Sequence, residues 1–323
     1  MKTESAYENC LGELPVARTS KGAHRRTGVE IEFAGRSENE AAENLQTQLG
    51  GEVVAKNTHS WMLEGSEIGD LRIELDTAMT KPDTGRLGAR ALDLVRSLVP
   101  VEIITPPLDK HGLRRLDAAL HVLRDCGAIG SRDGLFLGFG VHLNPEVVAE
   151  NDAFTLRTIR AFALLDPWLR DRFCIDITRR VLPFLRPWPA GFVSSLAQRK
   201  PDTLAAVIEL ADEHVRTRNH ALDLLPLFKS AEPGLFQATY PDESSTSARP
   251  TFHFRLPDSR IDEPGWSLHE PWEMWCLVER CAADTDLLTQ LESAWLDHVT
   301  NHEERANKRW LATVGDLLGN RKE

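Results

Sequence analysis

Hydrophobic and polar residues alternate in four stretches of the chain, and this period of two predicts strands. Over 27–34, Val29, Ile31 and Phe33 alternate with Gly28, Glu30 and Glu32. Over 71–76, Leu71, Ile73 and Leu75 oppose Arg72, Glu74 and Asp76. Over 135–144, Leu135, Leu137, Phe139, Val141 and Leu143 oppose Gly138, Gly140, His142 and Asn144. Over 251–256, Phe252, Phe254 and Leu256 oppose Thr251, His253 and Arg255. A shorter run, 101–104, reads as a strand that Pro106 and Pro107 terminate, because proline has no N–H to give a ladder. Helical spacing predicts helices over 37–49, with Ser37 as N-cap and Gly50 beyond the end, over 84–98, and over 110–126, ending at Gly127. After Pro145 the chain reads as largely helical to about 228, interrupted by the proline-rich 183–190. Two helices, about 270–298 and 302–318, close it. The first 25 residues are polar and irregular, an expected loose arm, and 241–250 is an expected exposed loop. Strands and helices mix without a regular βαβ rhythm, so the expected class is α+β with an antiparallel sheet.

Composition narrows this picture. A chain of 323 residues can bury about three quarters of its unfolded surface and needs no staples to fold. With 41% hydrophobic and 27% charged residues it has neither a disordered nor a membrane composition. The 38 Lys+Arg against 49 Asp+Glu give a net charge of −11, which argues against general nucleic-acid binding. Cys10, Cys126, Cys174, Cys276 and Cys281 are scattered, with no Cys-x-x-Cys, so neither a disulfide framework nor a zinc ribbon is readable. The opening MKTESAYENC lacks an apolar leader core, and no run approaches 18 apolar residues. The expectation is a reduced, cytoplasmic protein that binds neither membrane nor nucleic acid.

The polar faces of the four strands carry the functional signal. A solvated strand face usually mixes Lys, Thr, Ser and Gln, but these faces contain no lysine and gather carboxylates, imidazoles, an amide and arginines. Gly138 and Gly140 remove side chains just before His142, which would let a ligand lie against the backbone. Glu30 and Glu32 project from one face roughly 6.5–7 Å apart, a spacing suited to one or two Mg²⁺ ions that share oxygens with phosphates. Arg255 offers the planar fork that grips phosphate oxygens. The cysteine-free, carboxylate-rich set points to Mg²⁺ or Mn²⁺ over Zn²⁺, with two histidines leaving zinc open. No phosphate loop of the Gly-x-x-x-x-Gly-Lys-Ser/Thr kind, no Gly-x-Ser-x-Gly and no His-Glu-x-x-His is present.

These motifs, in this order, resemble the amidoligase family of ATP-dependent carboxylate–amine ligases related to glutamine synthetase and glutamate–cysteine ligase. Residues 28–33 (GVEIEF) are similar to its Gly-x-Glu-x-Glu strand, and 101–108 (VEIITPPL) to its Glu-leading strand with a Thr/Ser-Pro turn. Residues 138–144 (GFGVHLN) resemble its Gly-x-His-x-His strand, and 252–255 (FHFR) its Glu-Phe-Arg strand. Residues 217–228 and 249–257 look like signatures of a bacterial subgroup. The resemblance spans about 25–285. It implies a glutamine-synthetase-like curved antiparallel sheet, with helices packed on one face and the active site on the other. It also implies one catalytic domain over 26–323 with a mostly helical insertion at about 146–240. It assigns Glu30, Glu32 and Glu102 to Mg²⁺, His142 to metal or phosphate, and Arg255 to ATP phosphate. Two departures stand out: Asn144 replaces the strand's second histidine, and His253 replaces the glutamate. Asn144 still offers an oxygen toward the nucleotide, and His253 a nitrogen toward metal.

The implied reaction joins a small-molecule or peptide carboxylate to an amine through an acyl phosphate, with ATP and Mg²⁺. The alternatives are a nucleotide- or metal-binding protein that has lost ligation, and a phosphotransferase on the same fold. Arg72, Glu74 and Asp76 are candidates for the amino substrate or a second metal, or for structural salt bridges. Arg218 and Asn219 are candidates for the substrate carboxylate, or for capping the helix that follows. The oligomeric state is not readable from the chain.

Overall fold

The computed structural model describes residues 11–75, 99–131, 138–180, 185–300 and 306–319. Among these, eight strands form one open antiparallel sheet. They are β1 (Thr27–Phe33), β2 (Glu52–Asn57), β3 (Ser60–Ser66), β4 (Gly69–Leu75), β5 (Val101–Ile104), β6 (Val141–Pro145), β7 (Leu222–Asp223) and β8 (His253–Phe254). Their order is β2-β3-β4-β5-β1-β6-β8-β7, so the strand carrying Glu30 and Glu32 lies in the interior of the sheet.

The period of two is realised on both sides. Val29, Ile31, Phe33, Leu71, Ile73, Val141, Leu143, Phe252 and Phe254 are all buried. Each large apolar side chain withdrawn from water in this way contributes about 1.5–3 kcal/mol. Helix α1 (Glu38–Leu49) covers β2, β3 and β4 with Ala41, Ala42, Leu45 and Leu49, and packs on α2 (Lys110–Asp125). At the other end, Trp275 of α9 (His269–Ala283) meets Phe252 and Phe254, and Phe162 of α3 (Ala153–Arg172) meets Phe254 edge-on. Ser37 forms a full capping box with Glu40, and Gly50 and Gly127 take positive φ just past α1 and α2.

The remaining helices are short α4 (Ile177–Arg180), α5 (Ala190–Arg199), α6 (Leu204–His214), α7 (Leu225–Ala231), α8 (Pro233–Thr239), α10 (Thr285–Thr300) and α11 (Ala306–Gly319). No helix among the described residues is long and apolar enough to cross a membrane. Trp272 and Trp275 are packing residues whose indole N–H groups donate to the Gly12 carbonyl and to Glu279.

Several sequence expectations change. The predicted helix over 270–298 is two helices, because Asp284 caps the second by accepting the Leu287 N–H at 2.9 Å. The strand expected over 251–256 keeps its alternation, but ladder pairing shrinks to His253–Phe254 between Pro250 and Pro257. The strand expected over 135–144 is a ladder only from Val141, with 132–137 outside the described residues, as are Asp76 and the predicted helix 84–98.

The polar segment 11–25 is anchored rather than loose. Leu11 and Leu14 are buried, and Arg25 forms a fully buried two-bond pair with Glu279 at 2.8 and 2.6 Å. Arg25 also donates to the carbonyls of Val16 and Glu146. Breaking a buried pair strands the surviving charge, so Glu279→Ala is expected to lower stability by about 3–5 kcal/mol, read as a fall in the urea midpoint.

Candidate functional site

Strand register places the predicted residues side by side on the face opposite the helical core. Across β1 and β6, Glu30 stands opposite His142, and Gly28 opposite Asn144. Across β1 and β5, Glu32 stands opposite Glu102, and Glu102 in turn opposes Glu74 of β4. Thus Glu102, whose facing a four-residue strand could not establish from its own pattern, belongs to the same face. His253 stands opposite Asp223 of β7.

Glu30 is the centre of the arrangement. Its Oε2 lies 3.0 Å from His142 Nδ1 and 3.7 Å from His253 Nε2, and its Oε1 accepts from Asn144 Nδ2 at 2.9 Å. Arg249, half-exposed, approaches Oε1 at 3.9 Å. Burial alone would raise the Glu30 carboxyl, but the imidazoles of His253 and His142 and the Asn144 amide outweigh it and hold it below the ordinary range. His253 is held well below the usual histidine range by burial and then by the neighbouring Arg255, whose Nε–H donates to its Nε2 at 3.3 Å. Glu32 accepts the Gly140 N–H at 2.7 Å and faces His142 Nε2 at 3.9 Å.

Two sets of three donors result, each with its ligand atoms within 4.8 Å of one another: Glu30–His142–His253 and Glu32–Glu102–His142. His142 belongs to both through different nitrogens. The second set, with two carboxylates, fits a hard divalent ion such as Mg²⁺ that completes its shell with water or phosphate oxygens.

Arginines occupy the β7–β8 end. Arg255 Nη2 is 2.8 Å from Asp223 Oδ2, and Arg218 meets the same oxygen at 3.1 Å. Asp223, fully buried, also accepts the Leu225 N–H at 3.0 Å. It therefore takes a helix-start N–H that Asn219 was expected to cap, whereas the Asn219 N–H donates to Thr217 Oγ1. Sequence reasoning missed Asp223, although a single acid within ALDLLPLF had to be paired to be buried. It also missed Arg249 and Arg179. The expected open ground above Gly140 is filled: a Cβ there would lie 2.7 Å from Arg179 Nη2, whose buried guanidinium donates to the carbonyls of Arg255 and Pro257. Arg72 pairs with Glu74 at 3.2 Å, further along the same face.

A family model described as "putative amidoligase enzyme" matches residues 23–277, which contain every one of these described side chains. The chain belongs to the amidoligase family. Comparison finds no match among curated proteins and none among solved structures. Within the amidoligase match, the four motif strands β1, β5, β6 and β8 are the ones that bring the carboxylates, imidazoles and Arg255 together.

Asp223 holds two guanidinium groups on a buried oxygen, so removing it leaves them without a counter-charge. Asp223→Ala is expected to cost about 3–5 kcal/mol in chemical denaturation at neutral pH. Asp223→Asn, which keeps an acceptor for the Leu225 N–H, should cost less.

Proposed function

We propose that this amidoligase is an ATP- and Mg²⁺-dependent carboxylate–amine ligase working through an acyl phosphate. The observation that carries the reading is the sorting of one sheet face: Glu30, Glu32 and Glu102 on the central strands, and Arg255, Arg218 and Arg249 at one end. An acid-rich patch beside an arginine-rich patch is the charge pattern required by a phosphate chain that carries a cation.

In this reading the substrate carboxylate attacks the γ-phosphorus of ATP and ADP leaves, giving a mixed anhydride. An uncharged amine then attacks the carbonyl carbon, inorganic phosphate leaves, and the nitrogen gives up its proton. Arg255 holds the transferring phosphoryl oxygens, its fork already oriented by Asp223. Arg218 and Arg249 stand near enough to meet the outer phosphate oxygens or the substrate carboxylate, and Asn219 belongs to the same rim. A bound Mg²⁺ would supply positive charge that offsets the phosphate charge. Glu32 and Glu102, with His142, are the residues that would hold it. Glu74 lies beyond Glu102, away from Arg255, Arg218 and Arg249 but paired with Arg72, and this strand end is where an amino substrate would meet a carboxylate. Much of the rate then comes from position and fixed charge rather than from a nucleophile of the chain.

A second reading, binding without ligation, is favoured by one contact. Asn144 turns its amide N–H₂ to Glu30, and so serves the carboxylate rather than adding a donor oxygen at that point.

The test is ADP release across a panel of acids and amines, with phosphate and amide product measured together. Glu30→Gln and Arg255→Ala are each expected to lower turnover by about 10²–10³-fold with an unchanged circular dichroism spectrum. Wild-type turnover in both variants would remove the site from the reaction. Saturable binding of an ATP analogue with no ADP release in any pairing would favour the second reading.

A further inference from the structure

The two donor sets differ in chemistry, and the difference separates their ions. We infer that Glu30, His142 and His253 form a site for a borderline first-row ion of the Zn²⁺ or Fe²⁺ kind, distinct from the carboxylate-rich Glu32–Glu102 position and selective against Mg²⁺. Two imidazoles and one carboxylate match the preference of such ions for nitrogen, whereas Mg²⁺ takes oxygen ligands and sheds water reluctantly.

The geometry is already close to coordination. Ligand atoms each about 2.1 Å from a shared ion stand roughly 3.0–3.4 Å apart at octahedral or tetrahedral angles. Glu30 Oε2 lies 3.0 Å from His142 Nδ1 and 3.7 Å from His253 Nε2, and all three ligand atoms lie within 4.8 Å of one another, so side-chain adjustment alone can gather them round one ion. The two rings, with centroids 5.4 Å apart and planes at 59°, converge on that oxygen rather than stacking.

The surroundings of the rings give an independent indication. Metal-binding imidazoles commonly hold the ion with one nitrogen and direct the other N–H at a carboxylate, which fixes the tautomer. In both rings the nitrogen turned away from this ion has a second carboxylate nearby, beyond hydrogen-bond distance. His142 turns Nδ1 to Glu30 and Nε2 to Glu32, at 3.9 Å. His253 turns Nε2 to Glu30 and Nδ1 to Asp223, also at 3.9 Å. Asn144 fixes Glu30 from the far side through Oε1, leaving Oε2 for the ion. The Arg255 Nε–H donates to His253 Nε2 at 3.3 Å, so this nitrogen carries the lone pair, and an entering ion takes the place of that proton. Arg255, 3.3 Å from the His253 nitrogen, and Arg249, 3.9 Å from Oε1, oppose an entering cation.

The test uses the full chain stripped of metal by chelation, titrated calorimetrically with Zn²⁺ and with Mg²⁺ in the absence of nucleotide. A Co²⁺-loaded sample reports nitrogen ligation through its visible absorption. Zn²⁺ is expected to bind at this site more tightly than Mg²⁺, and His253→Ala to weaken it by about 10–100-fold or more. His253→Glu, which restores an oxygen donor, should narrow the gap between Zn²⁺ and Mg²⁺ and reduce the imidazole character of the Co²⁺ spectrum, with His142 still a ligand. Equal affinity for Zn²⁺ and Mg²⁺ in the wild type, or Zn²⁺ affinity untouched in both variants, would overturn the inference. Because the titration needs no nucleotide, a chain that binds Zn²⁺ here yet releases no ADP keeps this site and loses only the ligase reading.

Discussion

Two carboxylates on an interior strand of the sheet have to be kept ionised or hydrogen-bonded where water reaches them poorly, and much of the surrounding structure answers that demand. Burying an unpartnered carboxylate costs several kcal/mol, more than one strand pairing returns. Glu30 is met by an amide on one oxygen and by two imidazoles on the other. Glu32 is met by a backbone N–H that only a residue at the Gly140 position can present at 2.7 Å, with Arg179 pressed against that glycine. The glycine is thus a consequence of a buried arginine rather than a vacancy for a ligand.

The same demand orders the rest of the face. Carboxylates collect on β1, β5 and β4, arginines at the β7–β8 end, and His142 and His253 lie between them. The His253 ring meets both Glu30 and Arg255, at 3.7 and 3.3 Å, and so joins the acidic and cationic ends of the face. Asp223 performs the complementary task at the cationic end, where one buried oxygen fixes Arg218 and Arg255. Each of Glu30, Arg218, Asp223 and Arg255 therefore has a partner that orients it.

This face was legible in the sequence because a strand's period of two separates its sides without any knowledge of the neighbours. Glu30, Glu32, His142, Asn144 and His253 fell on the correct side for that reason, and the apolar partners Val29, Ile31, Phe252 and Phe254 were correctly placed in the core. Strands that offered no such signal stayed hidden. β2 is an edge with most of its residues exposed, β3 runs through three consecutive apolar residues (Trp61, Met62, Leu63), and β7 has two residues, too few to show any period. Asp223 and Arg179 are brought in by long-range register and packing, which no local pattern encodes. The break at Asp284 was readable in principle, since Ala-Ala-Asp-Thr-Asp offers a capping acid, but the apolar spacing ran through it.

The hydrogen bonds around Glu30 also bear on how ligands relate to folding. In many small metal proteins the ligands have no other partners, so that the ion supplies the folding energy. Here Asn144 and His142 already satisfy Glu30, Gly140 satisfies one Glu32 oxygen, and Asp223 satisfies Arg255. The face is formed by the protein's own groups before any ion or phosphate arrives, and its backbone is fixed by the apolar core behind it. Ligand binding then adds to stability only by mass action, in proportion to the logarithm of ligand concentration over its dissociation constant. Under the proposed ligase reading that separation is what the surface requires, because ions and phosphates that enter and leave in each turnover cannot also be the elements that hold the strands in register.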